Sequence, residues 1–182
     1  MRIFFILLTV LIASISCISS VRAQSELTPN LGVYVEWLEL EALMGTQSIE
    51  LPPKAFTVGA LVELAPAQAI GFVYRFSVGR GIGIGKPALN LTRFDTSVLY
   101  ILPFSNIKVF GDGGMGLLQL QSDKGEYWRN IGWLGAGLRV RPTPQLILAF
   151  EIKVLGLIQL DIPDAPLPLT WIFRLEGLWG RF

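Results

Sequence analysis

The chain has 182 residues, a length typical of one domain, and a formal net charge of +1 at neutral pH. Hydrophobic residues make up 52% of it and charged residues 16%, and the mean hydropathy is +0.53. The near-neutral charge excludes a nucleic-acid-binding protein, which would need an excess of basic residues. The lack of any histidine excludes a Ser-His-Asp triad, a histidine general base and a histidine metal site.

Residues 1–23 have the pattern of a secretory signal peptide. A short positive start precedes the apolar residues 3–12, and small side chains occupy the −3 and −1 positions of a cut before Gln24. Lipidation at Cys17 is the alternative, although the residues before it lack the leucine that is usual in a lipidation motif. We therefore predict a mature domain at residues 24–182 that contains no disulfide and lacks the run of about 20 apolar residues that a spanning helix needs.

The mature chain contains eight stretches in which apolar and polar or small residues alternate. A period of two places alternate side chains on opposite faces of a sheet, so each stretch is predicted to be a strand. The predicted strands are residues 31–42, 55–65, 70–78, 91–102, 107–121, 134–141, 146–154 and a last one from about 169.

The alternation has two irregular places. In the first strand the apolar positions change phase after Trp37, and a β-bulge there would keep one continuous apolar face. In the fifth strand four glycines within residues 111–116 obscure the pattern and indicate a bend.

The predicted connections alternate strictly between long and short. The long ones are residues 43–53, 79–87, 122–130 and 156–168, and the short ones, all containing proline, are 66–68, 103–106 and 142–145. Short turns on one rim and longer loops on the other are the layout of outer-membrane barrels. The faces alone permit two arrangements, because the apolar face could contact lipid or could line the interior of a soluble barrel.

The hairpin around Pro142 carries a more specific signal. The segment running from Gly135-Ala136-Gly137-Leu138-Arg139 through Pro142-Thr143-Pro144 to Leu148-Ala149-Phe150-Glu151 resembles the penultimate hairpin of the small eight-stranded outer-membrane barrels, the OmpA-like and OmpX-like superfamily. The resemblance covers nearly all of the mature chain. It implies an all-β fold, an eight-stranded antiparallel up-and-down transmembrane β-barrel.

The resemblance extends to the last residue. Phe182 matches the terminal phenylalanine that the barrel-assembly machinery reads in this superfamily, so it is the expected assembly signal. In this superfamily, apolar residues usually occupy every second position back from the terminal phenylalanine. Leu178 and Gly180 follow this pattern, but Glu176 does not. A bulge at Gly177 would bring the apolar residues before and after it onto one face. The resemblance further implies an outer-membrane location, lipid and the assembly machinery as partners, no nucleic acid, no cofactor or metal, a monomer and no enzymatic activity. Outer-membrane acyltransferases and deacylases of this size use a histidine.

The opposite faces of the strands carry charges of both signs, which we predict to form a network in the lumen. The predicted network consists of Glu63, Arg75, Arg93, Asp95, Lys108, Asp112, Arg139, Glu151, Lys153, Arg174 and Glu176. A lumen of eight strands is filled by side chains, so a plug of ion pairs is favoured over a narrow pore for small solutes. A secreted lipocalin-like carrier of an apolar ligand is the third hypothesis, and it requires the apolar faces inside.

Aromatic residues are expected to form belts at both membrane interfaces. The predicted belts are Tyr34, Tyr100, Phe104, Trp179 and Phe182 near the short-turn rim, and Trp128, Trp133 and Trp171 near the loop rim. The glycine-rich residues 79–87 lack the spacing of a phosphate-binding loop and are predicted to be a flexible connection. Asp161 and Asp164 are too few ligands to indicate a calcium site.

Overall fold

The computed structural model describes residues 27–40, 52–66, 71–102, 107–123, 125–157 and 169–180. These residues form eight strands. They are β1 (Leu27–Glu39), β2 (Lys54–Pro66), β3 (Phe72–Ile84), β4 (Leu89–Ile101), β5 (Ile107–Ser122), β6 (Gly125–Thr143), β7 (Leu146–Leu157) and β8 (Leu169–Gly180). No helix in the described part of the chain is long and apolar enough to cross a membrane.

The eight strands close into one antiparallel barrel in sequence order. Each strand pairs with the next, and β1 also pairs with β8, from Asn30 opposite Gly180 to Leu38 opposite Ile172. Closure leaves no sheet edge, so every strand finds hydrogen-bond partners on both sides. The predicted fold class is therefore confirmed.

The orientation of the side chains is the feature that the sequence left open. Phe150 is 45% exposed on the outer surface, and its neighbour Glu151 is 0% exposed inside. Phe72 and Val98 are likewise outside, and Arg75 is buried inside. The apolar face surrounds the barrel and the charged face fills it, which is the reverse of what a carrier with an apolar interior requires.

The bulge predicted near Trp37 is wrong. β1 keeps an unbroken register with β2 through Trp37, which lies opposite Phe56, and Leu38, which lies opposite Ala55. Leu38 and Leu40 therefore point into the barrel, where both are buried, while Glu39 is exposed. The phase change in the sequence has a simple cause, because the loop end of the lumen is itself apolar.

The bulge predicted at Gly177 is also wrong. β8 pairs without interruption with β1 and β7 across this position. Leu178 is 0% exposed and packs inside with Tyr34, Leu61 and Ile147, while Trp179 is 49% exposed outside. The apolar residue that suggested a second phase belongs to the interior, and Phe182 lies outside the described residues.

Two of the four predicted long loops are largely strand. β3 continues to Ile84 and β6 begins at Gly125, so residues 85–88 and 123–124 are all that connect these hairpins. Glycines in 79–84 serve packing instead of flexibility, since a Cβ on Gly81 would lie 2.5 Å from the Phe56 carbonyl oxygen and from Thr57 Oγ1. The turn itself uses Gly85, whose φ of +118° favours glycine.

The glycines of β5, from which a bend was predicted, cause no break in its pairing. β5 pairs without interruption with β6 from Ile107 to Ser122 and with β4 from Phe110 to Ser122. The described register has one irregularity, between Val140 and Thr143, where β6 approaches its turn into β7. The other two predicted loops, 43–53 and 156–168, lie mostly outside the described residues.

Candidate functional site

Eleven charged side chains are buried in the described part of the barrel, and we call them the charge layer. They are Glu36, Glu63, Arg75, Arg93, Asp95, Asp112, Arg139, Glu151, Lys153, Arg174 and Glu176. They come from all eight strands, always from inward-facing positions of the two-residue period. Because isolated charges are costly to bury, the layer has to be internally paired.

Arg75 on β3 is the first centre of this pairing. Its guanidinium donates to Glu63 at 3.0 Å, to Glu151 at 3.0 Å and to Glu176 at 2.9 Å. Glu63 also accepts from both terminal nitrogens of Arg139, one of them at 3.1 Å. One arginine thus connects carboxylates from β2, β7 and β8 across the lumen.

Arg174 on β8 is the second centre. It donates to Glu36 at 2.9 Å and to Asp95 at 3.4 Å, and it reaches Glu176 at 3.5 Å, which joins the two centres. Arg93 donates to the other oxygen of Glu36 and to Asp95 at 2.7 Å. Charge-assisted bonds of this kind are among the strongest in proteins.

Lys153 on β7 is the third centre. Its Nζ lies 3.3 Å from Asp112 Oδ2 and 3.2 Å from Glu151 Oε2. Trp133 Nε1 donates to the same Asp112 oxygen at 3.1 Å. Glu151 therefore links this centre to that of Arg75.

Aromatic rings fill the space around the cations. The Arg174 guanidinium lies 4.0 Å from the centre of the Tyr34 ring, that of Arg139 lies 4.8 Å from Phe110, and that of Arg93 lies 5.0 Å from Trp133. A desolvated cation over an aromatic face gains further stabilisation. Tyr34 and Trp133 are thus lumen residues, and their predicted place in the interfacial belts is wrong.

Glycines make room for these large side chains. A Cβ on Gly59 would lie 2.5 Å from Tyr34 ring atoms, and one on Gly114 would lie 2.6 Å from Ser97 Cβ. A Cβ on Gly116 would lie 2.6 Å from Asp95 Oδ1. The wall is therefore contoured to the charge layer, a function of the glycines that composition alone does not reveal.

Apolar layers lie on both sides of the charge layer. At the loop end, one cluster fills the interior; its buried members are Leu38, Leu40, Ala55, Leu89, Leu91, Leu118, Leu120, Ile131, Trp133, Leu155 and Ile172. At the short-turn end, Val73, Leu99, Phe110 and Ala149 form a second cluster. Ions or water crossing the barrel would have to pass both.

Ten of the eleven residues predicted for the lumen network lie in the charge layer. The exception is Lys108, which faces inward by its strand period but is exposed, because it stands one residue from the start of β5 at the short-turn rim. Sequence reasoning missed Glu36. Its place between Tyr34 and Leu38 on one face of β1 was the available signal, and the expected phase change at Trp37 obscured it.

Four of the predicted belt residues are exposed on the outer surface: Tyr100, Trp128, Trp171 and Trp179. Phe104 and Phe182 lie outside the described residues, as do Asp161 and Asp164. Among the residues that are described, no group of three or more acidic, cysteine or histidine side chains could hold a metal ion.

No protein-family model matches this sequence, and no curated protein sequence matches it. Solved structures do. The crystal structure of neisserial surface protein A, NspA, matches 85% of this chain and 97% of that one, with a TM-score of 0.62 and 11% identity. The fold is that of the small outer-membrane β-barrels. Ail, the attachment invasion locus protein of Yersinia pestis, matches 88% of this chain and 100% of that one, with a TM-score of 0.50 and 11% identity. The resemblance predicted from the hairpin around Pro142 is confirmed at the level of fold.

Proposed function

We propose that this chain is an integral outer-membrane protein, a monomeric barrel without enzymatic activity whose lumen is sealed. Its role is structural or lies in surface interaction. The observation that carries the proposal is the division between an apolar outer surface and a paired charge layer inside. Export by the signal at residues 1–23 and insertion by the assembly machinery, directed by Phe182, are part of the proposal.

The outer surface supports insertion in lipid. Apolar side chains cover it along every strand, and Leu134 is 74% exposed. A water-soluble protein rarely exposes a continuous apolar surface of this extent. Tyr100 and Trp179 are exposed near one rim, and Trp128 and Trp171 are exposed near the other, as expected of interfacial belts. The closed hydrogen-bonded barrel satisfies the backbone inside a membrane.

The lumen supports a sealed barrel over a pore. Arg75, Lys153 and Arg174 are fully buried at its centre, and each bonds carboxylates from other strands. The apolar clusters at both ends also support a seal, because ion conduction needs a continuous water column and apolar constrictions disfavour one. Transport of small solutes is therefore the less favoured function.

The surface-interaction role has a different basis from the membrane location. It draws on the names of the two similar structures, a neisserial surface protein and an attachment invasion locus protein. Their 11% identity to this chain makes the role a proposal taken from fold, which by itself does not determine function.

Two experiments test the proposal. Fractionation of cells, with heat-modifiability of the band on a gel, should place a folded barrel in the outer membrane; recovery as a soluble protein would refute insertion. Planar-bilayer recording of the purified chain should show no reproducible steps. Regular single-channel steps would refute the sealed lumen, and they should then grow when Leu118 and Ile172 in the loop-end cluster are replaced by serine.

A further inference from the structure

The charge layer is not balanced. Its eleven described members comprise six carboxylates, from Glu36, Glu63, Asp95, Asp112, Glu151 and Glu176, and five cations, from Arg75, Arg93, Arg139, Lys153 and Arg174. With every group in its usual ionised form, one negative charge is left over between the apolar clusters. An uncompensated buried charge is costly, so a further positive species is to be expected in this layer.

Four of the six carboxylates have both oxygens bonded. Glu63 accepts from Arg75 and Arg139, and Glu36 accepts from Arg93 on one oxygen and Arg174 on the other. Glu176 and Asp95 also have both oxygens bonded. Glu176 accepts from Arg75 and Arg174, and Asp95 accepts from Arg93 on one oxygen and from Ser77 and Arg174 on the other. None of these four has a vacant acceptor that needs a further donor.

Asp112 and Glu151 differ. Each uses one oxygen, Oδ2 or Oε2, to bond Lys153, while Asp112 Oδ1 and Glu151 Oε1 are buried and have no donor among the described residues. Both of these oxygens lie above Gly135: a Cβ there would meet Asp112 Oδ1 and would lie 3.1 Å from Glu151 Oε1. One point in space, the position of that Cβ, is therefore close to both vacant oxygens. The two carboxylate oxygens that lack a donor thus lie side by side, in a layer that has one more carboxylate than cations.

The surroundings offer no other donor to these two oxygens. Lys153 on β7 faces them but bonds their partner oxygens, and Trp133 on β6 bonds Asp112 Oδ2. Arg75 on β3 donates to the other oxygen of Glu151, Oε2. Arg174 on β8 donates to Glu36 and Glu176 instead. The other charged members of the layer are bonded as described above: Glu36 on β1, Glu63 on β2, Arg93 and Asp95 on β4, Arg139 on β6 and Glu176 on β8. Two of their nitrogens, Arg93 Nη2 and Arg139 Nε, are buried without an acceptor among the described residues, but they do not bond Asp112 or Glu151.

We propose that Asp112 and Glu151 form a proton-binding site, in which one proton is shared between Asp112 Oδ1 and Glu151 Oε1 in the folded barrel at neutral pH. One carboxyl group donates and the other accepts, so both vacant oxygens are satisfied. The charge layer then becomes neutral, with five net anions against five cations. The inference rests on the sealed lumen proposed above, because water in the lumen would serve both oxygens equally well.

The direct test is infrared spectroscopy of the folded, full mature chain in lipid vesicles at neutral pH. The wild type should show the carbonyl band of one protonated carboxylic acid. Asp112→Asn should remove that band, since its amide can donate to Glu151 in place of the proton. Glu36→Gln is the matched control: it makes the same replacement of a carboxyl group by an amide in the same layer. It should leave the band in place, because Asp112 Oδ1 and Glu151 Oε1 still lack another donor.

The second measurement is the urea midpoint of unfolding. Asp112→Asn should unfold at the same urea concentration as the wild type or at a higher one, whereas Glu36→Gln should shift the midpoint down, because it strips Arg93 and Arg174 of a paired anion. Equal downward shifts for the two variants would overturn the proposal. The absence of the acid band from the wild type would also overturn the proposal. In that case a bound water, or a sodium or potassium ion, would occupy the site in place of the proton.

A sodium or potassium ion would be recognised by a midpoint that rises with its concentration but not with a bulky organic cation at equal ionic strength. Conductance in planar bilayers keeps this inference separate from the proposed function. Steps without an acid band would mean that the lumen is wet, while an acid band missing from a silent barrel would refute the proton site alone.

Discussion

Replacement of Arg75 by methionine tests whether the charge layer holds the barrel together. Arg75 is 1% exposed and donates to carboxylates on three other strands, Glu63, Glu151 and Glu176. Methionine retains most of the volume and removes the charge. Arg139, Lys153 and Arg174 remain near the three carboxylates, but the layer then has one cation fewer for the same carboxylates.

The size of the effect follows from burial. Breaking a buried ion pair by removing one partner costs about 3–5 kcal/mol, because the other partner is left charged in a place without water. With a urea m-value of about 2 kcal/mol per molar, a loss of about 4 kcal/mol lowers the midpoint by about 2 M. The same change at a wet site would cost no more than about 0.5 kcal/mol.

The assay is urea unfolding of the barrel in detergent micelles or vesicles, followed by the fluorescence of its tryptophans. Lys108→Met is the matched control, because Lys108 is exposed and takes no part in the ion pairs of the described residues. We expect it to leave the midpoint unchanged. If Arg75→Met behaves like Lys108→Met, the lumen is hydrated and its ion pairs contribute little, which would contradict the sealed-barrel reasoning.

Three further predictions test the outer surface, the packing and the register. Phe150→Arg places a charge on the lipid-facing surface and should cost about 2–4 kcal/mol in assembly or stability if the site lies near the bilayer midplane, whereas Phe150→Leu should assemble normally on a heat-modifiability gel. Gly135→Ala puts a methyl group into the Asp112 carboxylate and 3.0 Å from Lys153, so it should lower the free energy of unfolding by about 1–3 kcal/mol in the same urea assay. Leu178→Cys should resist a lipid-soluble maleimide that labels Leu175→Cys, because Leu178 is inside and Leu175 outside; labelling of both would restore the predicted bulge at Gly177.

The sequence by itself determined the strands and, for most of them, their faces. Side chains alternate across a strand with a period of two, so Phe150 and Glu151 had to point in opposite directions wherever the strand was placed. The resemblance of the hairpin around Pro142 supplied the fold class. This local rule selected all eleven predicted lumen residues, and ten of them are buried in the charge layer.

The rule failed where a face changes character along its length. Leu38 and Leu178 are apolar and lie inside, since the ends of the lumen are filled by leucines and aromatic residues instead of charges. An apolar side chain is stable both against lipid and in an apolar part of the lumen. The sequence alone therefore does not show which of the two surrounds it. Bulges were therefore predicted where the strands are regular, and Glu36 was overlooked.

Only the tertiary structure decided which charges meet. Arg75 and Glu151 are 76 residues apart, and Arg174 and Glu36 are 138 apart. They meet because eight strands close into a cylinder with a defined register, and the register comes from pairing along whole strands. Closure also leaves Asp112 and Glu151 with one unbonded oxygen each above Gly135, a coincidence of three strand positions that no local pattern contains.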